Sequence, residues 1–224
     1  MTLSILCITN NEYTGTGYFI ERMKELSVHL NAELVLGLDR EKAQTAPFRH
    51  LADVAVDVTA NLLQEDVMNS VLDSCSGEWV LRLDDDETVS EALHDWLKSD
   101  GYLHAKQRLY AFPRVYLYPD TKHFITNENI YPDLQTRLGL KPLMYGFNFV
   151  HAGNPNGTGA VVPYALEHHK LLVRTLGQRR EIAARYEQCR PGAGSRPEYA
   201  RYNLPEDFYH ELKTSNYGNG DFSA

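Results

Sequence analysis

The sequence predicts an α/β protein with a mainly parallel central sheet flanked by helices. Three observations carry this prediction. Short apolar runs alternate with segments of helical period through the first half of the chain. Each helical segment begins or ends on a recognisable stop or cap. Two of the apolar runs end in polar clusters, where ligands of open parallel sheets bind.

The elements follow in order. Leu3–Thr9 is a short apolar run, the pattern of a buried strand, and it ends in Asn10-Asn11-Glu12-Tyr13-Thr14-Gly15. Phe19, Met23, Leu26 and Leu30 then recur at helical spacing and define one helix face. Glu33–Asp39 reads as a second strand, and residues 53–58 as a third through the alternation of Val54, Val56 and Val58. Asn61 and Gln64 form a capping box for a helix with Leu63, Val67 and Val71 on one face, and Gly77 ends it. Residues 79–83 form a fourth strand that runs into Asp84-Asp85-Asp86-Glu87. Thr88 with Glu91 gives a second capping box, before a helix bearing Leu93, Trp96 and Leu97. The order β-α-β-β-α-β-α predicts right-handed crossovers and a parallel sheet. It also predicts that residues 9–12 and 84–87 meet in space.

The second half is less regular. Residues 109–118 read as a strand interrupted by Pro113, which points to an edge or a bulge. Residues 119–133 form a polar loop long enough to suggest function. Residues 135–140 and 146–150 read as short strands, and 154–159 as a turn-rich loop. Thr175 with Gln178 caps a last helix carrying Ile182 and Tyr186. A main domain over 1–188 is expected, with a Gly-, Pro- and Tyr-rich tail over 189–224 and a short helix near 205–212.

Composition narrows the function classes. The chain has 224 residues, 43% hydrophobic and 23% charged, so it can bury a full core. No stretch of about 18 apolar residues occurs, which predicts no membrane-spanning helix. The opening residues lack a basic segment and a small-residue cleavage site, so a cytoplasmic location is expected. Cys7, Cys75 and Cys189 match no metal-binding spacing and read as reduced thiols. A formal charge of −8 disfavours nucleic acid as a partner, although Arg174, Arg179, Arg180 and Arg185 give one helix a basic face.

The acidic run is the strongest chemical signal. Adjacent carboxylates repel unless a cation or solvent intervenes. Alternate residues leaving a strand point the same way, so Asp84 and Asp86 are placed to share one hard cation, Mg²⁺, Mn²⁺ or Ca²⁺. An EF-hand is excluded: the sixth position from Asp84 is Val89 and the twelfth is Asp95. Gly15-Thr16-Gly17 lacks the third Gly of a dinucleotide fingerprint, because position 20 is Ile. No Gly-Lys-Ser/Thr and no Gly-x-Ser-x-Gly elbow occurs.

Taken in order, a strand ending in Thr9-Asn10-Asn11-Glu12 and the segment from Glu78 to Glu87 resemble family 2 glycosyltransferases, which have the GT-A fold and an Asp-x-Asp metal motif. The likeness extends through Tyr131-Pro132-Asp133-Leu134-Gln135-Thr136-Arg137-Leu138 and Val150-His151 to His168-His169-Lys170 and Arg174, covering about residues 1–188. It implies sugar transfer from a UDP-, GDP- or dTDP-linked donor to a saccharide or other hydroxyl acceptor. It implies that Thr9, Asn11, Glu12, Asp39, Asp84, Asp85 and Arg137 line the donor pocket. Asp84, Asp86 and His168 would hold Mn²⁺ or Mg²⁺, and Arg137 or Arg174 would add positive charge near the phosphates. The family's frequent His-Glu pair is His151-Ala152 here, and its Asp-x-x-Ser/Thr is Asp39-Arg40-Glu41-Lys42. Asp133 is the first candidate for the catalytic base and Glu128 the second; a retaining mechanism needs neither. The alternatives are a sugar-phosphate nucleotidyltransferase, whose Gly-rich, Arg-containing loop is absent, a non-catalytic carbohydrate- or metal-binding domain, and a transferase acting on modified phage DNA.

Overall fold

The structure, a computed structural model, describes residues 2–10, 13–39, 46–59, 65–128, 130–146, 154–189, 191–192 and 212–222. The expected alternation is present. β1 (Leu3–Thr9), α1 (Thr16–His29), β2 (Glu33–Asp39), β3 (Val54–Val58), α2 (Glu65–Asp73), β4 (Trp79–Arg82), β5 (Glu87–Val89) and α3 (Glu91–Lys98) follow one another. After a short α4 (Gly101–His104) come β6 (Leu109–Tyr116), β7 (His123–Ile125), β8 (Asp133–Leu140), β9 (Ala160–Val161) and β10 (Leu166–His168). The chain then forms α5 (Lys170–Val173), α6 (Leu176–Cys189) and β11 (Thr214–Asn216).

The sheet runs β3-β2-β1-β4-β8-β6-β10-β5, with β9 beside β6. β3, β2, β1 and β4 pair in parallel, whereas β8 is antiparallel to both β4 and β6. The fold is therefore mixed α/β, parallel in its first half. The strand order reverses between β1 and β4, since β2 and β3 were added on one side of β1 and β4 on the other. Such a reversal opens a crevice beyond the strand carboxyl ends.

Alternation along β1 decides the layers. Ile5 and Cys7 face α1 and α3 through Ile20, Met23, Leu26, Leu93 and Leu97. Leu6 and Ile8 face α2 through Met68, Val71 and Leu72. A strand buried on both faces spares few polar positions, which is why β1 is apolar from Ile5 to Ile8, while the buried Ser4 donates its hydroxyl to Glu33.

Several local expectations change. Ser90, not Thr88, caps α3: the Ser90 Oγ accepts from Leu93 N–H at 3.1 Å. Thr88 lies in β5, and its hydroxyl donates to Glu167 at 2.6 Å. Pro113 lies in an interior strand, not at an edge, and the register shift comes earlier, between Tyr110 and Ala111. On the other side of β6, β9 pairs Tyr110 and Ala111 while β10 pairs from Arg114 onward. Pro113 falls in the gap between them, where a missing N–H breaks no ladder. Gly159 lies so close to β6 that a Cβ would meet the Tyr110 backbone nitrogen at 2.6 Å. The Thr175 box is present, with Gln178 N–H on Thr175 Oγ1 at 3.3 Å and Thr175 N–H on Gln178 Oε1 at 2.9 Å. The basic face on one helix is not: Arg174 precedes α6, and both it and Arg179 are buried.

Part of the tail is ordered. β11 pairs antiparallel with β7, Tyr217 packs with Phe124 and Val115, and Ala165 N–H donates to the Gly220 carbonyl at 2.9 Å. The Asn61–Gln64 box, residues 147–153 with His151, and the expected helix near 205–212 lie outside the described residues. No described helix is long and apolar enough to cross a membrane.

Candidate functional site

The site forms where β1 and β4 end. Thr9 is the last residue of β1, and its hydroxyl donates to Asp85 Oδ2 at 2.6 Å. The two polar clusters therefore meet as expected, at the reversal of strand order. Tyr13, just past the first cluster, donates its hydroxyl to the Asp85 carbonyl. Asp39 ends the neighbouring β2 and is buried. Asn11 and Glu12 lie outside the described residues.

The acidic run faces two ways. Asp84 accepts from Arg137 and from Arg82 at 3.4 Å, and Arg114 stands 3.7 Å away. Glu87, fully buried, accepts from Arg137 at 2.7 Å and from Arg114 at 3.1 Å, and also takes the Asp84 N–H at 3.0 Å. Asp85 and Asp86 instead share Arg174. Its Nη2 donates to Asp85 Oδ1 and its Nε to Asp86 Oδ2, each at 2.8 Å. The other Asp86 oxygen lies 3.2 Å from His168 Nε2. Arg174 also lies over the Tyr13 ring, 4.3 Å from its centroid.

These contacts set the charge states. Burial alone pushes each carboxyl up. For Asp84 the nearby Arg137, Arg82 and Arg114 outweigh burial and hold it well below the usual range. For Asp86, Arg174 and His168 do the same. For Asp85 burial wins, helped by the Asp86 charge, and its pKa rises to about 6 despite Arg174. Burial lowers His168, which favours its neutral form, and its Nδ1 is buried without a hydrogen-bond partner.

Asp133 opens β8 and lies at the same end of the sheet. Its Oδ2 accepts from Arg114 Nε at 2.9 Å and Nη2 at 2.7 Å, and from the Tyr116 hydroxyl at 3.3 Å. Its Oδ1 accepts from Gln135 at 2.8 Å. Arg114 thus ties Asp133 to Glu87 and to the acidic run. Glu128 is exposed, in the turn closed by Ile130 N–H on the Asn127 carbonyl.

Sequence reasoning missed Arg82, Arg114 and Tyr13. A signal existed for the two arginines: each interrupts an apolar strand, Trp79–Arg82 or Leu109–Tyr116. A charge there must meet an opposite charge when it is buried. Tyr13 carried no such signal.

The expected metal ligands are divided. Asp84 turns to Arg82, Arg114 and Arg137, while Asp86 and His168 form a separate pair with Arg174. Among the described residues no three His, Cys, Asp or Glu side chains gather into a metal-holding group. Mg²⁺ takes about six oxygen ligands in near-ideal octahedral geometry, and Mn²⁺ has the same hard preference. Every carboxylate oxygen of Asp85 and Asp86 already has a donor. The donor set as arranged does not fit a divalent cation unless Arg174 leaves.

No family model matches the chain, and no curated protein matches it. Solved structures do. S. aureus TarS matches with a TM-score of 0.54 and 14% identity over 90% of this chain and 41% of that one. TarS 1–349 in complex with UDP-GlcNAc matches with a TM-score of 0.53 and 15% identity over 90% of this chain and 69% of that one. The same fragment in complex with UDP gives 0.51 and 14%, over 90% and 68%. The chain thus has the fold of these proteins, while spanning less than half the length of the first.

Proposed function

We propose that this chain is a GT-A glycosyltransferase that moves a sugar from a nucleoside-diphosphate donor to an acceptor hydroxyl. One observation carries the reading: at the carboxyl ends of β1 and β4, where the strand order reverses, Thr9, Asp84, Asp85 and Asp86 gather with four arginines. Carboxylates and a hydroxyl accept and donate to a ribose or base, and guanidinium groups attract phosphates. TarS, which shares the fold, is solved with UDP and with UDP-GlcNAc, and that agreement supports a nucleotide-sugar donor.

In this reading Thr9, Asn11, Glu12, Asp39, Asp84 and Asp85 contact the nucleoside. The acceptor oxygen attacks the anomeric carbon, the bond from that carbon to the phosphate oxygen breaks, and its electron pair leaves with the nucleoside diphosphate. Asp133 takes the acceptor proton; its carboxylate is oriented by Arg114 and Tyr116 on Oδ2 and by Gln135 on Oδ1. Arg114 holds the carboxylate in place; a general base of this kind contributes about 10²–10⁴-fold.

A nucleotide-release assay with UDP-, GDP- and dTDP-linked sugars tests the proposal. Release of nucleoside diphosphate from one donor class, abolished in Asp86→Asn, is expected. A protein that binds a donor yet never releases the nucleotide with any acceptor tested is a binding domain, and the transferase reading fails.

A further inference from the structure

Resting on the proposed donor site, we infer that the Arg174 guanidinium, and not a divalent ion, is the cation that meets the donor's diphosphate.

Arg174 caps the C-terminal end of α5, the short helix that follows the strand carrying His168, and it is buried. Its charge sits between the two carboxylates of Asp85 and Asp86, at 2.8 Å from each. A shared metal would occupy such a place between neighbouring carboxylates. The group is also fixed on a second side by the face of Tyr13, whose own hydroxyl is tied to the Asp85 backbone. A cation over an aromatic face is held by the ring quadrupole.

Chemistry favours this cation for the role. A guanidinium is planar and always charged, and it carries more N–H donors than two carboxylate contacts use. Nε and Nη2 of Arg174 are engaged; Nη1 donates to no described residue and remains for a ligand. Evicting Arg174 to admit a metal would strip Asp85 and Asp86 of their shared partner, and an unpaired buried charge is costly. Lys170, buried one turn earlier, adds positive charge toward Asp86.

Isothermal titration of the wild-type protein with UDP, GDP and dTDP, in EDTA and again in Mn²⁺, decides the question. Expected is binding of one nucleotide in EDTA with a Kd within about threefold of that in Mn²⁺, and a loss of about thirtyfold or more in Arg174→Gln in EDTA. Arg174→Lys, which keeps the charge and loses the fork, should fall between them. Binding by the wild type that gains tenfold or more from Mn²⁺ would overturn the inference, at about 1.4 kcal/mol per tenfold, and leave the transferase reading standing. Binding of no nucleotide in either condition would overturn the reading itself, and this inference with it. The wild-type arm needs no variant to fold.

Discussion

The outer and inner residues of one tetrapeptide are treated differently by the fold. Asp84 and Glu87 are tied to Arg137 and Arg114, which rise from β8 and β6 inside the sheet. Asp85 and Asp86 are tied to Arg174, at the C-terminal cap of α5, and Asp86 also to His168 at the end of β10. The outer pair is held from inside the sheet by arginines on paired strands, and Asp84 keeps 22% of its side chain exposed. The inner pair is more deeply buried than Asp84 and depends on a guanidinium at the end of a four-residue helix and over a tyrosine face. Similar side chains are thus held in different ways, according to which element supplies the countercharge.

Four experiments test that contrast. The largest effect is expected from Arg137→Ala, which leaves Asp84 and Glu87 without their shared, buried partner. It should lower stability by about 3–5 kcal/mol in urea unfolding. A loss under 1 kcal/mol would show that Arg114 alone suffices. Asp86→Asn, by contrast, removes charge from the inner side. It should weaken nucleotide binding about tenfold to a hundredfold while unfolding stability changes far less.

Asp85→Asn probes pH. The folded pKa of Asp85 is raised to about 6, above the unfolded value of 3.8. The folded state therefore holds a proton that the unfolded state has lost, and this contribution is present below about pH 4 and disappears as pH rises through 6. Asp84 and Asp86, with depressed values, act the opposite way and only below about pH 4. Neutral-favouring His168 also acts oppositely, its contribution falling as pH drops through 6.5. Subtracting the Asp85→Asn stability profile from the wild-type one isolates the Asp85 slope. The difference should change by roughly 2–3 kcal/mol between pH 4 and pH 7; a flat difference would mean that burial does not raise this carboxyl. The smallest effect belongs to Thr175→Ala, which removes the α6 cap just beyond Arg174. It should cost about 1 kcal/mol by thermal denaturation, with unchanged nucleotide affinity unless α5 moves with it.

The same contrast explains what the sequence made legible. The parallel half was readable because β1 and β4 are buried on both faces and announce themselves as apolar runs, and because their carboxyl ends must meet. The meeting of Thr9 with Asp85 follows from that alone. The second half was harder. β6 carries a proline inside the sheet, tolerated only because β9 and β10 leave a gap opposite it, and no local pattern reveals such a gap. Thr88 and Ser90 both look like caps; only the pairing of β5 with β10, which takes Thr88 into a strand, chooses Ser90. The division of the acidic run was invisible for the same reason, since it depends on arginines 27 to 89 residues away along the chain. Arg82 and Arg114 could have been flagged as charges within apolar strands, but not assigned to partners.

The central claim is that the crevice at the end of β1 and β4 receives a nucleotide sugar, and a thermal-shift screen of UDP-, GDP-, dTDP- and CMP-linked sugars meets it most directly. A ligand at about a hundred times its Kd stabilises the folded state by about 2.7 kcal/mol, enough to raise the melting temperature by several degrees. The account predicts such a rise with one nucleotide class, and its loss in Asp86→Asn. An unchanged melting temperature across the whole panel at millimolar ligand would contradict it.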